Sequence, residues 1–232
     1  MDKAKERKVF EIFQQISARY DRSNDRISLG FQKSWKKYLI NDVINMAKPN
    51  SKILDLCSGT GDIGIAIAKK RCDVNVIGAD FSPNMLGEAR EKSKDLSNIS
   101  FALENACALS YKDSSFDIVT ISFGLRNTRD YQKVLGEIKR VLKKGGFIIC
   151  LDSFVPDNII VRPFYKLYFK YLMPVIGGGI SKIKAYRWLY QSTKDFLKKS
   201  ELIDLYKKIG FTNIESKSLM FGACLLIKGK KV

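Results

Sequence analysis

With 232 residues, 45% of them hydrophobic and 28% charged, the chain has apolar material for one core and is expected to form a single domain with insertions. Lys and Arg number 41 against 24 Asp and Glu, a net charge of +17 with no histidine. The charge is therefore constant across physiological pH, and a zinc site is not expected: the five cysteines form no C-x-x-C pair. The basic excess favours nucleic acid or an anionic membrane surface as partner, although the basic residues are spread along the chain as in any lysine-rich composition. Three of the cysteines lie in apolar runs and read as buried thiols in a reducing cytosol. The start of the chain, with its acids and no apolar run, is expected to be neither signal nor transit peptide, and no segment approaches membrane-spanning length.

Taken in order, Val9, Phe10, Phe13 and Ile16 recur at helical spacing up to Tyr20-Asp21. Asn24, Asp25, Ser28 and Gly30 mark a loop, and Trp35, Tyr38, Leu39 and Val43 begin a second helix. Residues 1–48 thus form a helical arm that either pads the sheet edge or lids a site. Pro49-Asn50-Ser51 turns into the stretch Lys52–Ile63, where Ile53, Leu54 and Leu56 give way to Cys57-Ser58-Gly59-Thr60-Gly61 and then to a helical pattern. That is a buried strand, a tight turn and a helix start.

Glycines there tolerate positive φ and expose backbone N–H groups to an electron-rich ligand edge. Gly59, Gly61 and Gly64 satisfy the dinucleotide pattern G-x-G-x-x-G. Asp55, at the strand end, serves a pyrophosphate poorly but suits the cationic sulfonium and ammonium of S-adenosylmethionine. Asp80 ends the next apolar run, Val76–Ala79, about twenty residues on, where an acid takes both ribose hydroxyls of either cofactor. The stretch resembles motif I of the class I S-adenosylmethionine-dependent methyltransferases.

Ser82-Pro83 caps a helix through Met85, Leu86 and Ala89 to about Lys94. Strands are expected at Ile99–Leu103, Phe116–Ser122 and Phe147–Leu151, the last leading into Asp152-Ser153. A helix from about Asp130 to Leu142 is closed by Lys143-Lys144-Gly145-Gly146, read as a C-terminal stop. After Ser200 a helix through Leu202, Ile203, Leu205 and Tyr206 ends at Gly210, and strands at Phe211–Met220 and Ala223–Ile227 finish the sheet. The alternation predicts an α/β fold: a Rossmann-like doubly wound sheet, mostly parallel with the last strand antiparallel, and ligands at the carboxyl ends of the strands.

The methyltransferase resemblance implies roles at those ends. Asp55, Gly59, Thr60 and Gly61 match the motif around the methionine end, Asp80 the ribose ligand, and Asn105-Ala106 the pair that reads the adenine edge. Ser122 lies beneath the methionine part. Phe81 with Met85 flanks the adenine or simply packs the helix. Phe123-Gly124-Leu125-Arg126-Asn127, Tyr168–Pro174 and Tyr186-x-Trp188-Leu189-x2-Ser192-x3-Phe196, together with the arm, resemble the quinone-biosynthesis C-methyltransferases over nearly the whole chain; Gly177-Gly178-Gly179 and the lysines around them match weakly.

That resemblance implies C-methylation of a prenylated quinol ring with S-adenosylmethionine as methyl donor and no metal. Demethylmenaquinol is the first acceptor and the ubiquinone-pathway benzoquinol the alternative. Methyl transfer in line requires alignment and a dry site. Arg126 is the candidate cation for a developing ring anion, or else a structural ion pair, and Asn127 orients a ring oxygen. The proton acceptor is open among Asp152, Asp21 and Tyr20. Residues 154–199 form a helical cap, whose stretch Ile159–Ile180 interleaves aromatics with Arg162, Lys166 and Lys170, as at a membrane interface or in ordinary core. A peripheral cytoplasmic location on an anionic membrane is expected, with a homo-oligomer left open. No nucleic-acid partner is expected, since the fourth strand lacks the Pro-Pro-aromatic tetrad. The dehydrogenase-like Tyr190-x3-Lys194 lies too far past the fifth strand.

Overall fold

The computed structural model describes residues 30–168 and 183–232, together with residues 7, 9–11, 14, 21, 25, 26 and 28. The expectations for Phe13, Ile16, Tyr20, Asn24 and residues 169–182, the three glycines at 177–179 among them, lie outside the described residues.

Seven strands form one sheet: β1 (Lys52–Leu56), β2 (Asn75–Asp80), β3 (Ile99–Leu103), β4 (Phe116–Ser122), β5 (Leu142–Ser153), β6 (Phe211–Leu219) and β7 (Cys224–Lys231). Their order is β3-β2-β1-β4-β5-β7-β6. The first five run parallel, and β7 enters antiparallel to both neighbours. The expected doubly wound sheet with an antiparallel last strand is what the chain forms.

The helices are α1 (Phe31–Met46), α2 (Asp62–Lys70), α3 (Pro83–Lys92), α4 (Tyr131–Val141), α5 (Val161–Leu167), α6 (Ile183–Lys194) and α7 (Lys199–Ile209). They cover both faces, as parallel strands buried on both sides require. On one face Leu54, Leu56, Val119 and Ile121 pack with Val134 and Ile138 of α4 and Leu202 and Tyr206 of α7. On the other, Ile53, Ile118 and Ile149 pack with Leu39 and Val43 of α1 and Ile63 and Ile67 of α2. The period-two alternation of β1 thus sends Leu54 and Leu56 to one core and Ile53, with Asp55, to the other.

Local chemistry sets the boundaries. Ser82 caps α3 by accepting from the Met85 N–H, with Pro83 in the first turn. Asp130 caps α4 through the Lys133 N–H at 2.9 Å. Gly210 closes α7 at φ 90.

Two boundaries are corrected: the last strand runs on to Lys231 rather than ending at Ile227, and the fifth starts earlier than expected. The fifth strand begins at Leu142, not Phe147, because α4 ends with Leu142 already extended. Two steps along β4, Phe116 to Ile118, face five along β5, Leu142 to Phe147. The Lys-Lys-Gly-Gly run is therefore a bulge inside the strand rather than a helix stop. Gly145 turns it at φ 80, and Lys143 ties it to the Asp117 carboxylate at 2.8 and 2.9 Å.

The loops after β1 and β4 meet edge to edge. A Cβ on Gly124 would stand 2.5 Å from the Cβ of Cys57, so Gly124→Ala must separate them. Thermal or denaturant melts should report a loss of about 1–3 kcal/mol for Gly124→Ala. Gly136→Ala, where nothing lies within 4 Å on α4, should gain about 0.5–1 kcal/mol in the same measurement.

Candidate active site at the strand ends

β1 ends in a turn whose backbone needs unusual conformations: Cys57 sits at φ 55, Gly59 at φ 55 and Gly61 at φ 84. The Ser58 N–H donates to the Ala79 carbonyl at 3.0 Å, fastening the turn to β2, and the Gly61 N–H donates to the Ser58 carbonyl at 2.9 Å. Asp80 completes the fastening. One carboxylate oxygen accepts from the Gly59 N–H and the other from the Ser82 N–H, both at 2.9 Å. Burial pushes the Asp80 carboxyl above its ordinary range, while these N–H groups favour the ionised form.

Beside this turn lies a solvent-connected cavity. Gly59, Asp80, Phe81, Met85, Asn105, Ala106, Ser122 and Asn127 all line it. Asp55, Thr60, Gly61 and Arg126 do not. The Ser122 hydroxyl, buried in the wall, has no hydrogen-bond partner among the described residues. Such an atom calls for a ligand or water to satisfy it. Nothing lies within 4 Å of where a Gly59 Cβ would be, leaving bare backbone open toward a ligand. These features fit a nucleoside cofactor: an acid at the ribose position, an Asn-Ala pair and an apolar wall from Phe81 and Met85. Among the described residues no cluster of three or more metal-ligating side chains occurs.

Asp55 faces elsewhere. On the Ile53 side of β1 it lies under α2, 1% exposed. It accepts from the Gly64 N–H at 3.0 Å and from the Thr120 hydroxyl at 2.8 Å. Its oxygens are spent on joining β1, β4 and α2 rather than presented to the cavity. Thr60 is likewise engaged, its hydroxyl donating to Asp21 of the arm at 2.7 Å. Asp21 also pairs with Lys92, which reaches the Thr60 carbonyl at 3.3 Å. Gln14 accepts from the Ser82 hydroxyl and the Asn84 N–H at 3.1 and 3.2 Å. Phe10 meets Phe81 edge to face at 5.7 Å, and Val9 lines the cavity itself. Through these contacts the described arm residues meet the glycine turn, α3 and the cavity wall, and one of the three candidate bases, Asp21, is tied up in the attachment.

Arg126 is 5% exposed. Its guanidinium lies 2.5 Å from the fully buried Asp152 carboxylate and donates to the Phe123 carbonyl at 2.9 Å, and Asp152 also accepts the Arg126 backbone N–H at 3.1 Å. The candidate cation and a candidate base are thus partners of each other. They brace the short 3-10 turn Leu125–Asn127. Asn127 projects from that turn into the cavity, donates to the Phe123 carbonyl at 3.2 Å and accepts from the Trp188 indole of the cap helix α6 at 3.3 Å. Phe123, inside the Phe123–Asn127 segment singled out from sequence, lines the cavity as well; Cys57, Thr128 and Arg129 also line it and were missed from sequence, the last two adjoining that segment. Burial pushes the Cys57 thiol well above its ordinary value, so it serves as a neutral wall.

Burial also pushes the Asp55 carboxyl from the ordinary 3.8 up to about 7, against the pull of Thr120 and Gly64. The folded chain holds a proton there that the unfolded chain has released over that interval. This contribution is complete below the lower value and is lost as pH rises through the upper one. Urea melts should show it falling by on the order of 3 kcal/mol between about pH 5 and 8. Asp55→Asn, which has no proton to lose, should lack that slope; parallel curves for the two proteins would refute the assignment.

The family model for the ubiE/COQ5 methyltransferase family matches residues 1–231. A demethylmenaquinone methyltransferase of Staphylococcus saprophyticus is 42% identical over 232 residues, covering 99% of each chain. One from Staphylococcus haemolyticus is 44% identical over 230 residues, 98% of this chain and 95% of its own. Among solved structures, a SAM-dependent methyltransferase of Thermotoga maritima aligns at TM-score 0.65 with 19% identity, covering 97% of this chain and all of that one, a likeness of fold. The strand-end cavity, the full-length family match and these relatives agree: the chain is a methyltransferase and belongs to the ubiE/COQ5 methyltransferase family.

Proposed function

We propose that the protein transfers a methyl group from S-adenosylmethionine to a ring carbon of a prenylated quinol, with reduced demethylmenaquinone as acceptor, while peripherally bound at the cytoplasmic face of a membrane. The observation that carries this reading is a single cavity shared by the nucleoside-binding set and by Asn127, in a chain whose full length matches quinone methyltransferases. Gly59, Asp80, Phe81, Asn105, Ala106 and Ser122 would hold the cofactor. When bound, it supplies an electrophilic methyl on a sulfonium.

The chain's own residues supply alignment and dryness. The arm, through Val9, Phe10 and Asp21, and the cap, through Trp188, close over the strand ends. Asn127, fixed from both sides by Phe123 and Trp188, orients a ring oxygen so that the adjacent carbon meets the methyl in line. As that carbon gains the methyl, its hydrogen leaves as a proton. Arg126 acts as a positioning residue: with Asp152 it holds the Phe123 carbonyl and the turn that carries Asn127. The ubiquinone-pathway benzoquinol is the second acceptor to try, since the matched family spans both branches.

Calorimetry with S-adenosylmethionine, its demethylated product and NADH tests the cofactor assignment. The sulfur nucleosides alone should bind, and Asp80→Ala should weaken both by at least about tenfold. Asn127→Ala should cut kcat/KM for reduced demethylmenaquinone by about ten- to a hundredfold while leaving cofactor affinity nearly unchanged. Equal losses in both quantities would remove Asn127 from the acceptor side.

A further inference from the structure

The turn joining β6 to β7 closes the hairpin between Leu219 and Cys224 through left-handed backbone, but with Met220 and Phe221 where such turns favour Asn and Gly. Met220, Phe221 and Gly222 follow one another at φ 48, 53 and 94. Only the glycine adopts that region freely; a bulky side chain there is held against its preference. Met220 and Phe221 point outward all the same, 41% and 77% exposed. Two large apolar side chains thus occupy a turn that polar or small residues would make at lower cost, and they leave their surface in solvent.

The same corner carries more apolar surface. The Phe154 N–H donates to the Ala223 carbonyl at 2.9 Å, and Lys199, packed against Gly222, pairs with Asp157 at 3.2 Å. The chain then enters α5 with Ile159, Ile160 and Phe164 exposed at 84%, 71% and 70%. Beside them opens a cleft between residues 154–157 and helices α6 and α7. Arg162, Lys194, Lys198 and Lys199 line it against a single acid, Asp157. Exposed aliphatic and aromatic groups beside a cluster of cations match a bilayer boundary, with acyl chains for the first and headgroup phosphates for the second.

We infer that this corner is a docking surface for an anionic lipid bilayer. Phe221, Ile159, Ile160 and Phe164 enter the acyl boundary, and the cations of the cleft bind headgroup phosphates. The inference rests on the proposed prenylated acceptor, whose tail lies in such a bilayer, and it assigns the face that meets the membrane.

Co-sedimentation with vesicles of pure phosphatidylglycerol or pure phosphatidylcholine tests it without turnover. The protein should partition at least about tenfold more onto phosphatidylglycerol and be released as salt is raised. Phe221→Asn and Ile160→Ser should each lower that partition about tenfold or more, from the apolar burial they forgo. Phe221→Asn should do so with an unchanged or higher thermal midpoint, because Asn accepts the left-handed conformation; loss of a merely structural side chain would lower it. Arg162→Gln with Lys194→Gln should erase the preference for phosphatidylglycerol. Equal binding to both lipids, or wild-type binding by Phe221→Asn, would overturn the assignment. So would self-association without lipid that Phe221→Asn abolishes, which would give the face to a second copy of the chain. Turnover of a tail-less quinol should be unchanged in Phe221→Asn; its loss would put Phe221 in the reaction and overturn the docking role. Failure of the wild type to methylate any quinol would refute the proposed function alone, leaving the vesicle result to judge the surface.

Discussion

One buried carboxyl group organises the centre of the molecule. Asp55 accepts from the Gly64 N–H in the first turn of α2 and from the Thr120 hydroxyl directly across on β4. It thereby sets the distance between the central strands and the helix that carries the glycine turn. Because the group is enclosed, losing either partner would strand a polar atom in a low-dielectric interior. The turn at Gly59 and Gly61, and with it the cavity floor, depends on that spacing. Asp80 repeats the device one strand over, tying the Gly59 and Ser82 N–H groups and so joining the turn to the start of α3.

Around that frame the cavity is closed by contacts of different character. The floor is backbone held by carboxylates. The wall toward β4 and β5 is a short helical turn braced by the Arg126–Asp152 pair, an arrangement costly to break because either partner alone would be a buried unpaired charge. The arm is fastened by polar attachments, Thr60 to Asp21 to Lys92 and Gln14 to Ser82 and Asn84. The Asp21 and Lys92 side chains are partly exposed while Thr60 is buried, so the ion pair is the weaker part of this attachment and the Thr60 contact the firmer. A rigid floor and a polar fastening of the arm suit a reaction that needs alignment more than acid–base power.

Much of this was legible in the residues. The strand–helix alternation, the Ser82-Pro83 cap, the helix start near Asp130 and the Gly210 stop are short-range signals, and each is found where the pattern put it. The cavity lining was legible for the same reason: Gly59, Asp80, Phe81, Asn105, Ala106 and Ser122 all sit at strand ends, and a parallel sheet gathers those ends into one crevice. The start of β5 was not legible. A Lys-Lys-Gly-Gly run after a helix reads equally as a stop or as a bulge, since a glycine at positive φ serves both, and only pairing with β4 distinguishes them.

The sequence by itself determined the fold class, the strand-end crevice and the family, because these rest on local periodicity, turn chemistry and residue order. The tertiary structure decided which way the charged groups face. Asp55, one residue from Leu54 and Leu56, falls on the opposite side of β1 and is spent on α2 and Thr120. Arg126 and Asp152, 26 positions apart, neutralise each other, and Asp21 crosses to Thr60, 39 positions away. Such pairings are set by packing across the sheet rather than by spacing along the chain, and a carboxylate's role follows from the partner it meets there.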